Sequence, residues 1–276
     1  MVMLPRSYLF VPADRTDRIA KAASSGADAV IVDLEDAVAP PAKAAARDAL
    51  ARWLDSAAAR PVCVRINAPG TCGWSEDLRL ATHPAVAAIV VPKAEQVGDL
   101  DTIRAATGGR PLLPLVETAA GFAAIDSVAR APGVQRLLFG SVDFQADLGI
   151  EGDDDALICF RSGIVLASRL AGLASPVDGI TPSISDREAV ARDTRRARRM
   201  GFGGKLCIHP AQVPVVHDAF APQPAELDWA RRVVDASRRC GGAAVAVDGR
   251  MVDAPVLRQA HRLLARAGST ARGHGD

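Results

Sequence analysis

Two carboxylates, Glu117 and Asp143, stand where short apolar runs stop. Glu117 follows residues 112–116 directly, and Asp143 follows residues 137–139 after a Gly140-Ser141 turn. Runs so short and so rich in Leu and Val fit strands buried on both faces. Between them AAGFAAIDSVARAPGV reads as one helix, closed at Pro132-Gly133. A right-handed crossover lays the two strands parallel, with both acids at C-terminal strand ends on one face. Hard oxygen ligands placed this way suit Mg²⁺, which takes one or two protein carboxylates and keeps positions for water and substrate. The helix dipole also favours acids at helix N-termini. That simpler reading serves for either acid alone; for the pair, metal binding is the better reading.

The elements that must position these acids form a regular series. Residues 8–13 (YLFVPA) read as a first strand, followed by a helix with Asp14 as its cap and Gly26 as its stop. Residues 28–38 form a second strand that ends in three acids, Asp33, Glu35 and Asp36. Pro40-Pro41 opens a long helix. Strands follow at 61–71, 86–95, 112–116, 137–139, near 176–179, and at 205–208. Eight strand-then-helix units over about 220 residues match the count of a TIM (β/α)8 barrel, whose catalytic groups sit at C-terminal strand ends. The polar residues fall there: residues 12–15, Glu35-Asp36, Arg65, Asn67, Lys93, Glu117, Asp143 and His209. A doubly wound open sheet is the alternative, but no G-x-G-x-x-G follows the first strand. The barrel domain is expected over 1–221. Residues 222–276 then form a small C-terminal lid of helices and a hairpin, turned at Asp248-Gly249.

Composition narrows the function classes. The chain has 276 residues, 49% hydrophobic and 24% charged, enough for a sizeable core. A net charge of +1 gives no basic excess for nucleic acid, and no stretch suits a membrane. The five cysteines are scattered without metal-ligand spacing, and Cys63 and Cys207 sit in apolar runs as core residues. With no signal-peptide layout at the N-terminus, a reducing, cytoplasmic location is expected. The helix bearing Arg192, Arg195, Arg196, Arg198 and Arg199 also carries Asp193, and reads as a solvated face or a subunit contact.

YLFVPADR, VDLEDAV, VRINAPGT, VVPKAE, PLVETAAGF, LLFGSVDFQADLG, MGFGGKLCIHPAQV and GRMVDAPVL together resemble the citrate lyase β-subunit-like family of the HpcH/HpaI aldolase superfamily, close to malyl-CoA and citramalyl-CoA lyases. The resemblance spans about residues 8–267. It implies a TIM barrel with a lid, Mg²⁺ dependence, and reversible C–C cleavage of acyl-CoA or acyl-carrier thioesters to a 2-oxo acid. It also implies a trimer or hexamer in which one subunit's lid covers its neighbour's site. Residue by residue, it implies Glu117 and Asp143 as metal ligands, and Glu35 and Asp36 as acids holding the metal's waters. It implies Arg65 as the grip on the substrate carboxylate, and Arg15, Lys43 and Arg47 as contacts to CoA. Asp253 is implied as the lid acid or base supplied by the adjacent subunit. Many relatives carry an acid where this chain has Val142.

These types suit the chemistry. Metal at Glu117 and Asp143 would act as a Lewis acid, and the Arg65 fork would suit a planar carboxylate. Alternatives stand beside each role. Arg65 could be a rim ion pair to Glu35 or Asp36, Asp253 an N-cap, and Lys93 a Schiff-base lysine. His209 could be a general base, but is read as structural or as a support behind the residues that meet the metal. Two further activities remain open: a metal-dependent aldolase on free 4-hydroxy-2-oxo acids, and a citrate lyase complex subunit acting on a carrier protein.

Overall fold

The computed structural model of the chain describes residues 4–56, 58–240 and 245–270. Eight parallel strands close into a barrel in the order β1 to β8, with β8 pairing back to β1. They are β1 Ser7–Pro12, β2 Ala29–Asp33, β3 Val62–Arg65, β4 Val86–Val91, β5 Leu112–Val116, β6 Leu138–Phe139, β7 Val177–Asp178 and β8 Gly204–Cys207. The chain is a TIM barrel of the α/β class. Each strand is a short apolar run because both its faces are covered. One face fills the interior, where Tyr8, Ile31, Cys63, Val90, Leu113, Leu115, Leu138, Val177 and Leu206 form a single cluster. The other face packs under helices. Burial pushes the thiols of Cys63 and Cys207 up to about 12, as befits inert core cysteines.

The helices are α1 Thr16–Ser24, α2 Lys43–Leu54, α3 Trp74–Leu80, α4 Val97–Ala106, α5 Ala119–Ala123, α6 Ile125–Arg130, α7 Ser141–Leu148, α8 Ile158–Leu170, α9 Arg187–Met200, α10 Gln212–Phe220, α11 Pro224–Arg239 and α12 Ala254–Thr270. Helix α2 shows how sequence becomes packing: Ala46, Leu50 and Leu54 recur every fourth residue and are its buried stripe. Helix α9 is capped by the Asp186 side chain, which accepts the Ala189 N–H at 2.9 Å, and stops at left-handed Gly201.

Three local expectations change. The single helix expected after Glu117 is two, α5 and α6, because Ala124 takes a bridge-region backbone (φ −89°, ψ 3°) that interrupts the α-helical run. Asp14 does not cap α1; Arg15 occupies that position, without a side-chain cap. The arginine helix is not solvated throughout. Arg196 is mostly buried and reaches Asp153 and Asp154, and Asp153 also receives Arg161 at 2.7 Å. Arg161 in turn holds the buried Asp178 of β7 at 2.8 Å.

The chain divides into two compact units, one over residues 4–217 and one from 218 onward. In the second, α11 and α12 pack on a hairpin of β9 Val245–Val247 and β10 Arg250–Val252. Its turn is left-handed at both Asp248 (φ 52°) and Gly249 (φ 73°), the type I′ geometry that Asp-Gly serves. Part of the expected hairpin segment, residues 241–244, lies outside the described residues. No helix among the described residues is long and apolar enough to cross a membrane.

Candidate active site

The C-terminal ends of β2 and β3 carry the first half of the site. Strand register sets Asp33 directly beside Arg65, and their side chains meet as a two-pronged ion pair. Arg65 Nε donates to Asp33 Oδ1 at 2.7 Å and Nη2 donates to Oδ2 at 2.5 Å. Both residues are buried. The remaining Arg65 nitrogen, Nη1, lies 2.9 Å from Glu35 and 3.6 Å from Asp36. The guanidinium also lies 5.1 Å from the Phe10 ring centre. Burial alone would lower its pKa, yet the Asp33 hydrogen bonds and the surrounding carboxylates raise it, so it stays charged. The rim ion pair weighed for Arg65 is therefore present, and its main partner is Asp33, a residue the sequence reading had not assigned to the site. Asp33 also accepts the Glu35 and Ala37 N–H groups at 2.9 and 3.1 Å, which fixes the loop that presents Glu35 and Asp36.

The second half comes from β4, β5 and β6. Glu117 follows β5 and is 1% exposed. Its Oε1 accepts the Lys93 N–H at 2.8 Å, while its buried Oε2 has no hydrogen-bond partner. Burial, together with the nearby charge of Glu35 and of Asp143, pushes its pKa up to about 8. Asp143 lies in the first turn of α7, so its place is also that of a helix N-terminal acid. Glu117 precedes the Thr118 N-cap and lies outside the helix. Lys93 Nζ donates to Glu35 Oε1 at 2.7 Å. Although its burial works the other way, this contact and the Glu35 charge raise the lysine pKa. A Schiff-base lysine must lose its proton to attack, so the setting argues against that role. His209 accepts the Ala211 N–H through Nδ1 and serves the turn into α10.

A cavity of about 370 Å³ opens between these halves. Asp33, Asp36, Arg65, Gly140, Ser141 and Asp143 line its polar side, and Phe10, Ala37, Leu115, Phe139, Val142, Ile180, Leu206 and Ile208 line the rest. No group of three or more metal-ligating side chains occurs among the described residues. Two carboxylates, one of them with a buried oxygen lacking a partner, fit a hard cation that keeps several waters. They do not fit a fully protein-ligated Zn²⁺.

The model of the HpcH/HpaI aldolase/citrate lyase family matches residues 6–210, a span that holds every side chain just described. The chain belongs to that family. A citrate lyase subunit beta-like protein of Mycobacterium tuberculosis is 40% identical over 268 residues, covering 95% of each chain. A (3S)-malyl-CoA thioesterase of Cereibacter sphaeroides is 34% identical over 274 residues, covering 96% of this chain and 95% of the relative. The structure of protein CitE from M. tuberculosis in complex with magnesium, acetoacetate and coenzyme A matches with a TM-score of 0.86 at 38% identity. That match covers 96% of this chain and 98% of the other.

The remaining residues implied by the resemblance to the HpcH/HpaI family are placed as follows. Arg15 is exposed at the start of α1 and pairs with Asp17 at 3.1 Å. Lys43 bonds to Asn67 Oδ1. Arg47 lies 3.3 Å from Asp77, a buried acid that also accepts two hydrogen bonds from Asn67. Lys43 and Arg47 are thus engaged in a polar cluster beside the loop after β3. Asp253 lies in the second unit, where its Oδ1 accepts the Val256 N–H at 3.2 Å in the N-cap manner.

Proposed function

We propose that this chain is a Mg²⁺-dependent carbon–carbon lyase. It would cleave, or form, a 3-hydroxyacyl-CoA thioester such as citramalyl-CoA or malyl-CoA, giving acetyl-CoA and a 2-oxo acid. The observation that carries the reading is the partnerless buried Glu117 Oε2, which feels the charges of both Asp143 and Arg65 and lies against Gly140 in the wall of a cavity that Asp143 and Arg65 also line. Glu117 and Asp143 would hold the metal, with Glu35 and Asp36 close enough to take its waters. Bound there, Mg²⁺ supplies Lewis acidity that lowers the pKa of a substrate hydroxyl. Arg65 would orient the substrate carboxylate through Nη1, the nitrogen that Asp33 does not hold and that Glu35 approaches at 2.9 Å. Asp253, brought from a neighbouring subunit in a homo-oligomer, would take the hydroxyl proton as the C–C bond breaks. It would then return that proton to the thioester enolate, which leaves no net change in the acid. Arg15, Lys43 and Arg47 would meet the CoA phosphates.

The test is product analysis on a panel of hydroxyacyl-CoAs, with Mg²⁺ and with EDTA. Metal-dependent release of acetyl-CoA supports the lyase. The thioesterase relative favours a second reading, hydrolysis, which would instead release free CoA and the hydroxy acid. Cleavage only of free 4-hydroxy-2-oxo acids, or only of a carrier-bound acyl group, would replace the CoA assignment.

The eight apolar side chains lining the cavity further favour a substrate whose 2-oxo acid half carries an alkyl group. A well-packed methyl is worth about 1–3 kcal/mol, so citramalyl-CoA is expected to exceed malyl-CoA in kcat/KM by about tenfold or more. Equal or reversed constants would remove that preference. For the lid acid, Asp253→Asn is expected to keep KM and to lose about 100-fold or more in kcat. Turnover like that of the unmodified chain would take Asp253 out of the mechanism.

A further inference from the structure

Among the described residues outside glycine, Lys93 and Asp248 alone have a positive φ. Asp248 is explained by its hairpin turn. Lys93, at φ 45°, is in no hairpin, and a left-handed backbone costs energy in any residue with a side chain. What this conformation achieves is visible at Glu117: the Lys93 N–H is turned onto Oε1 at 2.8 Å. The opposite flank of Glu117 is just as constrained. Gly140 has an ordinary φ of −86°, so no backbone conformation demands glycine there. Space does: a Cβ at Gly140 would lie 2.5 Å from Glu117 Cβ and 2.8 Å from Oε2. The two residues adjoin because β5 and β6 pair at Val116 and Phe139, and the Gly140 N–H then bonds the Val116 carbonyl at 3.0 Å.

We propose that Lys93 and Gly140 are positioning residues that present Glu117 to the metal through one oxygen. The left-handed amide of Lys93 occupies Oε1, and the absent side chain at Gly140 keeps the path to Oε2 open. This rests on the reading of Glu117 as a metal ligand. It assigns the work of Lys93 to its backbone rather than to its ammonium, which is engaged with Glu35.

The test separates backbone from charge. Lys93→Gly, Lys93→Asn and Lys93→Val all remove the ammonium, but glycine and asparagine tolerate the left-handed region and β-branched valine does not. The affinity for Mn²⁺, read by electron paramagnetic resonance as a stand-in for Mg²⁺, is measured with the thermal midpoint of each metal-free protein. Lys93→Gly and Lys93→Asn are expected to bind Mn²⁺ alike, and Lys93→Val about tenfold or more weakly. Gly140→Ala is expected to lose about tenfold or more as well. It leaves Lys93 untouched and carries the test if Lys93→Val does not fold. A merely structural role would move the thermal midpoints and leave Mn²⁺ affinity in place. Equal affinities for the glycine and valine variants, with Gly140→Ala binding like the unmodified chain, overturn the inference alone. No Mn²⁺ binding by the unmodified chain, or binding that Glu117→Gln does not weaken, overturns the metal-site reading and this inference with it.

Discussion

Asp33→Asn is expected to lower kcat by about 100-fold or more and to destabilise the protein by about 3–5 kcal/mol. Among the described residues, Asp33 alone meets the Arg65 fork with both oxygens, at 2.7 and 2.5 Å. Asparagine keeps the shape but supplies one acceptor and no charge, so a buried guanidinium loses its closest counter-ion. Released from that fork, Arg65 is free to turn fully toward Glu35, which Nη1 already approaches at 2.9 Å. Arg65 would then no longer present Nη1 at the angle a substrate carboxylate needs. Asp36→Asn is the control. Asp36 is 3.6 Å from Arg65 with a side chain 58% exposed, and solvent screening leaves such a pair worth about 0–1 kcal/mol. Denaturant midpoints and steady-state rates check both variants. An Asp33→Asn protein with ordinary turnover would mean that Arg65 needs no such support.

Asp33 also marks how far the sequence could be read. It was visible as the first of three acids ending the second strand, and nothing local distinguished it from its neighbours. Its role depends on a register between two strands, which places Asp33 opposite Arg65. One chain read alone carries no such distance. The barrel itself was legible because its strands are fully buried and therefore short and apolar, and because polar residues gather at one end of each. Glu117 and Asp143 were legible, as acids at strand ends, for the same reason. The left-handed Lys93 was not, since lysine signals no special backbone and the requirement comes from an acid 24 residues away. Arg47 reads as a free cation until α3 brings Asp77 beside it. Arg196, likewise, reads as surface until Asp153 and Asp154 reach it from the loop before α8. In each case the missing information is a contact between elements, whereas the pattern within each element was sound.

Glu117→Gln is expected to abolish metal binding, to lower turnover by about 1,000-fold or more, and yet to stabilise the metal-free protein. The Glu117 carboxyl is held at about 8, against 4.5 for an ordinary glutamate, chiefly by burial and then by Glu35. Below pH 4.5 it is protonated in both folded and unfolded chains and costs nothing. As pH rises from 4.5 toward 8 the unfolded chain releases this proton and the native chain keeps it, so the native state loses stability across that window. Above about 8 the loss is complete. The metal-free protein should therefore have a thermal midpoint that falls between pH 4.5 and 8, on the order of 5 kcal/mol of stability in all. Glu117→Gln should remove that slope and raise the midpoint at pH 7.5. Lys93, Arg65, Glu35 and Asp143 surround the same carboxylate, so the slope of the variant is compared with that of the unmodified chain at equal ionic strength. Mg²⁺ should reverse the order at neutral pH, since it binds the ionised carboxylate and expels a proton, which calorimetry in buffers of different ionisation enthalpy reads directly. A pH slope that survives in Glu117→Gln would assign the lost stability to another group. Equal stabilisation of both proteins by Mg²⁺ would place the ion elsewhere.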